Sequence, residues 1–406
     1  MEKRKSTVLF LCAGIWQYPW LSYLKDKGHS ILLVDPNNQP YCKQFADDYI
    51  QCDVLDTEAI IKEVEKRDVK IEMVTSEQTD VSTIPIAILS DYFQTRHIPL
   101  EVVQKFTNKY TSKVHASNLD PSHVPAFTLV NNPEELTQFL KGRNGNVIIK
   151  PVNAQSSRGI AVIQSNESQE EMLDKFQTAV SFSSLRQAIV EEFVYGTEIT
   201  VEGFVLNRRH QVLAISRKKH FRTGIASELA YPLITHPTLR NQLEEFHNRL
   251  VETTGIPFGI THTEYIIDEE TGRFWLVEMA CRGGGSLIPS HITPWVSGVN
   301  VYDWIYKALF TDEKMPEKFD VQSKSAILFF FEFDAGKVKA IHGVDACRGM
   351  EGVLRLNLEF EVGSVIKPAS DDRGRQGYCI VCTDSLEQSY ILFSQIHSQI
   401  KVEYEL

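Results

Sequence analysis

Hydrophobic positions gather in short continuous runs near the start of this chain and in alternating runs towards its middle. Thr7–Ala13 is almost unbroken in its apolar character, as expected of a parallel strand covered on both faces. A helical pattern over Trp20–Lys27 is stopped by Gly28, and a second strand, Ser30–Val34, ends at Asp35. A helix over Thr57–Lys66, a third strand at Ile71–Thr75 and a helix near Ile84–Phe93 continue the alternation. Strands and helices at this pitch predict a doubly wound α/β unit over roughly the first hundred residues.

The middle of the chain reads as strands with polar loops. A helix over Asn108–Ser117 carries Lys109 and Lys113. A short strand, Asn146–Lys150, runs into Pro151, the polar stretch Asn153–Gly159 and a returning strand, Ile160–Ile163. Backbone N–H groups of such a flap can cradle phosphates, and Lys150 at the strand's end favours that over an ordinary polar hairpin. Ala188–Val194 is a strand turned at Tyr195-Gly196 into a second, Glu198–Leu206. Asn207–His210 makes a hairpin to Gln211–Arg217, which ends in the basic cluster Arg217–His220, and a helix covers Leu239–Thr253.

Two further strands, His262–Asp268 and Phe274–Met279, flank the loop Glu269–Arg273. Asp268 then pairs with Phe274, which sets Glu264 opposite Glu278. Carboxylates facing each other across a ladder repel unless a cation lies between them. Oxygen-only ligands suit Mg²⁺, and alternation puts Arg282 on the Glu278 side, followed by Gly283-Gly284-Gly285. Such a face suits a phosphorylated reactant. A plain hairpin with solvated, register-shifted glutamates is the alternative, and the stretch alone leaves both open. Beyond it come a helix, Val301–Phe310, and the charged stretch Asp312–Lys324. Strands at Ala326–Phe333, Val338–His342, Val365–Ile366 and Tyr378–Cys382 and a helix at Leu386–Ile400 then predict a small α+β unit.

Charge narrows the partners. Lys and Arg number 42 against 53 Asp and Glu, a net charge of −11, which argues against a nucleic-acid or anionic-membrane surface. The seven cysteines (12, 42, 52, 281, 347, 379, 382) are scattered like free thiols of a reducing compartment. Cys379 and Cys382 have CxxC spacing but sit in a strand, where i and i+3 face opposite ways. Lys3-Arg4-Lys5 before an apolar run imitates a signal peptide, yet no small-residue cleavage site follows, and no run is long enough to span a membrane. A cytoplasmic protein is expected. Gly14-Ile15-Trp16 is not a dinucleotide fingerprint, which weakens an oxidoreductase reading.

With these pieces in order, the chain resembles the ATP-grasp superfamily. It is similar to the branch with biotin carboxylase, the purine-pathway ligases and the dipeptide ligases. The resemblance implies an α/β ATP-grasp fold in three parts. These are an N-terminal pre-ATP-grasp domain (1–105), a nucleotide-binding domain (106–312) and a small C-terminal α+β substrate or lid domain (313–406). Lys109 in Asn-Lys-Tyr and Lys150 in Ile-Ile-Lys-Pro match the family's two nucleotide lysines. Ser156 and Ser157 stand in the flap, which has one glycine, Gly159, where the family is glycine-rich. Glu191-Glu192-Phe193-Val194 matches the hinge strand, whose first acid, Glu191, and the backbone around the last two residues would bind the adenine edge, and Glu198 matches the acid on the ribose hydroxyls. Lys218, or its neighbour Arg217, resembles a catalytic phosphate contact.

Glu264 and Glu278 match the metal carboxylates and Arg282 the catalytic arginine near the transferring phosphoryl group. The family often has a third metal ligand, Asn, where this chain has Ala280, a form that some relatives share, and the reduced flap speaks against the biotin carboxylase pattern. The resemblance implies ATP and Mg²⁺ (or Mn²⁺) as cofactors, small carboxylate and amine substrates, and room for a homodimer. The implied reaction is carboxylate–amine ligation through an acyl phosphate. A bicarbonate-activating carboxylase and an ATP-binding regulator without turnover are the alternatives. His291, Trp295 and Arg375 are candidate substrate residues.

Overall fold

The computed structural model describes residues 5–155, 157–222, 224–311 and 316–405. Its first sheet is wholly parallel, from β1 (Lys5–Leu11), β2 (Ser30–Asp35), β3 (Asp48–Gln51) and β4 (Val69–Thr75) in the order β3-β2-β1-β4. Val8, Leu9, Phe10 and Leu11 are fully buried, as the unbroken apolar run of a central strand requires.

A second, antiparallel sheet holds β5 (Phe127–Val130), β6 (Val147–Pro151), β7 (Ala161–Ile163) and β8 (Ala188–Glu192), ordered β5-β8-β6-β7. The β6–β7 connection is the flap. The helix Lys109–Leu119 is capped by Asn108, whose side chain accepts from the Tyr110 and Thr111 N–H groups. Its first N–H donates to the Val152 carbonyl at 2.8 Å, which ties the helix start to the flap.

The large sheet is built from β9 (Thr197–Leu206), β10 (Arg209–Arg222), β11 (Ile225–Tyr231), β12 (Gly259–Asp268), β13 (Arg273–Ala280) and β14 (Ser325–Phe330). Later strands are β15 (Gly336–His342), β16 (Val353–Leu358), β17 (Val365–Ile366), β18 (Gly377–Thr383) and β19 (Lys401–Tyr404). Eight strands run β13-β12-β9-β10-β11-β14-β18-β16, and β17-β15-β19 form a small sheet. The C-terminal segment thus extends the large sheet as well as building its own small one. The expected boundary at 312/313 falls outside the described residues.

Two expectations are corrected. β10 does not stop at Arg217 but runs through the basic cluster to Arg222, because it pairs with β9 on one side and β11 on the other. The β9–β10 turn is only Asn207-Arg208, both with positive φ (51° and 63°), the tight geometry whose twist matches its flanking strands. One face of the large sheet packs on the helix Pro237–Glu252 through Leu243, Phe246 and Leu250, and the helix Val301–Phe310 joins it to the first unit.

Candidate active site

The second sheet and the large sheet face each other across a cavity of about 840 Å³. Period-two alternation builds the large sheet's polar wall. Glu198, Thr200 and Glu202 alternate along β9, with Lys218 opposite Glu198, Glu264 opposite Thr200 and His262 opposite Glu202. Glu264 also pairs directly with Glu278. That opposition arises by another route than the expected one. Asp268 pairs with Arg273, which in a regular ladder would set Glu264 against Val277, and a bulge takes up the extra residue.

Each of the two carboxylates has its own ammonium group. Lys218 Nζ lies 2.8 Å from Glu264 and 2.6 Å from Glu198, which His220 also approaches at 3.4 Å. Lys109 Nζ lies 2.8 Å from Glu278 and donates to the Ala154 carbonyl at 2.9 Å. Burial disfavours the Glu264 anion, but Lys218 and then His262 outweigh it and hold the carboxyl well below its usual range. Burial likewise opposes a charged His262, yet Glu202 at 2.9 Å holds the imidazole up to about 9. Lys218 is buried too, and Glu198 and Glu264 keep it charged, above the ordinary lysine value.

On the opposite wall Glu191 is enclosed by Lys113 at 3.0 Å and Lys150 at 3.1 Å, and Lys113 also donates to the Leu276 carbonyl. The Glu191 side chain is therefore engaged by two cations and is not free to meet a base edge. Burial pulls Lys113 down to about 8 even with Glu191 beside it, and the second ammonium adds to the pull. Glu192, Phe193 and Val194 line the cavity mouth, with the N–H groups of 192 and 193 bonded to Ala126 and Asn146. Gly196 must be glycine, since a Cβ there would sit 2.3 Å from the Ile267 carbonyl oxygen. Ser157 lines the cavity beside the turn at Gly224, while Ser156 lies outside the described residues.

Arg282 reaches the same cavity but is gripped from the first unit. Asp80 takes its Nε at 2.9 Å and its Nη2 at 2.6 Å, a bidentate pair. The Asp80 N–H in turn donates to Gln155 Oε1 in the flap at 3.1 Å. Glu77 accepts the Gly283 N–H at 2.7 Å, and burial pushes its carboxyl up to about 7 against that bond. Arg375 lines the cavity with its guanidinium 3.7 Å from the Phe330 ring centre and 3.2 Å from Asp372.

Two substrate candidates are not brought to this cavity. His291 lines a smaller one, and Trp295 lines neither, because its indole N–H donates to the Ser325 carbonyl at 3.0 Å while Lys324 covers its ring. Sequence reasoning passed over Glu77, Asp80, Gln155, Lys113, Glu202 and the role of His262. Three of these carried a signal. His262 stands two residues before Glu264 on one strand, hence on its face, and Glu77 and Asp80 follow the carboxyl end of a parallel strand, where α/β sheets hold ligands.

Comparison with known proteins agrees with this layout. Residues 143–290 match the model of the ATP-grasp domain, and residues 329–405 that of the L-amino acid ligase C-terminal domain 2. Residues 143–290 form an ATP-grasp domain. The chain's two matched domains are those of an ATP-dependent carbon–nitrogen ligase. No curated protein sequence matches it. An L-amino acid ligase structure from Bacillus licheniformis is 15% identical with a TM-score of 0.81, covering 100% of both chains. A phosphoribosylglycinamide synthetase from Anaerococcus prevotii is 17% identical at 0.75, over 99% of this chain and 100% of that one. The biotin carboxylase domain of a Hydrogenobacter thermophilus 2-oxoglutarate carboxylase is 16% identical at 0.75, over 99% and 91%. At these identities the structures speak for the ATP-grasp fold of this chain.

Proposed function

We propose that this ATP-grasp chain is a carboxylate–amine ligase that forms an amide, peptide-like bond through an acyl phosphate and releases ADP and phosphate. The observation that carries the reading is the opposed pair Glu264–Glu278, each carboxylate held by a lysine, on a cavity that Arg282 shares. Two oxygen donors on a cavity wall fit Mg²⁺, usually held by one or two carboxylates plus substrate phosphates, and Mn²⁺ takes the same donors. Ala280 adds no third ligand. When bound, the ion draws charge from the phosphates.

The chain's own groups do the rest. Lys109, Lys150 and Lys218 offset phosphate charge, and the flap with Ser157 covers it. Glu198 accepts the ribose hydroxyls, and the backbone around Phe193 and Val194 meets the adenine edge. Arg282, oriented by Asp80, holds the reacting carboxylate and the charge on the transferring phosphoryl group, with Arg375 as a second cation on the substrate side. Carboxylate oxygen attacks the γ-phosphoryl group, ADP leaves, and an amine then displaces phosphate from the acyl carbon. The three-part division at 105/106 and 312/313 goes with this reading. So does a homodimer, since the Hydrogenobacter thermophilus biotin carboxylase domain is itself a dimer, and sedimentation checks it.

Trapping tests the reaction. With Mg-ATP, hydroxylamine and pooled small carboxylic acids, hydroxamate should form with one ADP for each. ADP release that needs only bicarbonate and gives no hydroxamate would instead mark a carboxylase. Hydroxamate that persists when Glu264 and Glu278 are both alanine would belong to a contaminant. Ribose recognition has its own check: ATP should bind about ten- to a hundredfold more tightly than 2′-deoxy-ATP, and equal affinity would remove Glu198 from the ribose.

A further inference from the structure

A second cavity, of about 410 Å³, takes no part in the proposed reaction. It lies across a thin wall from the first: Ser286 and Ile288 line the large cavity, Leu287, Ser290 and His291 the small one. Trp16 and Tyr41 from the first unit, Tyr302 from the connecting helix, and Arg355 and Tyr378 from the last strands complete its walls. Trp16 and Tyr378 meet with ring centres 5.0 Å apart. The cavity is thus a slot with aromatic walls that also carry the polar side chains of Ser22, Asp26, Ser290, His291, Asn300 and Arg355, in the size range of a small-molecule site.

Those polar groups have a definite sign. Arg355 is exposed, and among the described residues it belongs to no ion pair. His291 shares a hydrogen bond at 2.7 Å with the Ser290 hydroxyl through Nδ1, and burial, with Arg355 nearby, lowers its pKa, so it stays neutral at pH 7. Asp26 stands exposed at the rim. The slot therefore presents flat apolar faces, one guanidinium that no described carboxylate pairs, and one carboxylate at its edge.

We propose that this second cavity binds a small aromatic carboxylate. Aromatic side chains offer stacked and edge contacts to its ring, and Arg355 offers the planar fork that suits a carboxylate. An added ammonium group would meet Asp26, so an aromatic amino acid is admitted beside a simple aromatic acid. Nothing here depends on the ligase reading, and the test uses no nucleotide.

Isothermal titration of the full chain with 3-phenylpropionate, L-phenylalanine and 2-phenylethylamine decides it. Both carboxylates should bind saturably, and the amine, which has no carboxylate for Arg355, should not. Tighter binding of L-phenylalanine than of 3-phenylpropionate would place its ammonium on Asp26. Arg355→Gln, an exposed change whose fold circular dichroism can check, should weaken both acids about ten- to a hundredfold. Absence of saturable binding at millimolar concentration, affinity unchanged in Arg355→Gln, or equal binding of the amine would each overturn the proposal. A dimer that Tyr41→Ala converts to monomer would overturn it too, because a second copy would then cover the slot.

Discussion

Two carboxylates on neighbouring strands each have an ammonium within hydrogen-bonding distance here, and this makes single substitutions informative. Glu278→Gln keeps the size of the side chain and removes the charge that pairs with Lys109 and that a metal ion would share. Turnover should fall by at least about two orders of magnitude with the circular dichroism unchanged, and near-normal activity would remove this pair from the mechanism. Asp80→Asn tests orientation rather than charge transfer. It breaks a bidentate clamp on Arg282 without touching the nucleotide walls. The expected result is a fall in kcat of about ten- to a hundredfold with the KM for ATP little changed, partly rescued by Asp80→Glu.

Elements rather than residues decide how firmly the walls stand. Glu191 ties β8 to β6 through Lys150 and to the helix Lys109–Leu119 through Lys113, all buried. Glu191→Gln leaves two ammonium groups in the interior without an anion. Stability to urea should drop by about 3–5 kcal/mol. A second element-scale effect depends on acid. His210, on β10, bonds Asn248 of the packed helix at 2.7 Å and Thr261 of β12 at 2.8 Å, and burial lowers its pKa to about 4. The unfolded chain, near 6.5, takes its proton first, so stability is lost as pH falls from 6.5 towards 4, on the order of 3 kcal/mol in all. Urea midpoints at pH 7 and pH 5 measure this, and His210→Gln should flatten the difference.

How far the sequence foretold these elements depends on the range of the forces that set them. The strands β1, β2 and β4 of the first unit and the helix Val301–Phe310 follow from local periodicity and appear close to where they were expected, whereas the short edge strand β3 (Asp48–Gln51) carried too little apolar character to be foreseen. The opposition of Glu264 and Glu278 was reached through a five-residue loop, whereas the molecule uses four residues and a bulge. Two local details differ and their effects cancel. β11 was missed because Ile225–Tyr231 has weak strand character and is held by its neighbours β10 and β14. Asp80 and Arg282 stand 202 positions apart, so no local pattern could pair them.

At the scale of the whole molecule, the large sheet is shared between the middle and the end of the chain. β14 pairs with β11, and β18 and β16 continue outward from it. A chain cut after residue 311 would expose the β11 edge and the apolar faces of Leu229 and Tyr231. Such a fragment should lack a cooperative urea transition, and independent folding would show that the last strands are only appended.

The two lysine–carboxylate contacts also impose an order on loading. Lys109 and Lys218 serve as internal counter-ions to Glu278 and Glu264, so this carboxylate pair has little to gain from a lone divalent cation. A triphosphate would offer both lysines a new anion, and their departure would bare the glutamates for an ion carried on its phosphates. Metal and nucleotide should therefore enter as one species. Titrating Mg²⁺ alone should give almost no heat, the same ion should bind tightly once ATP is present, and Lys109→Met should let the free ion bind by itself.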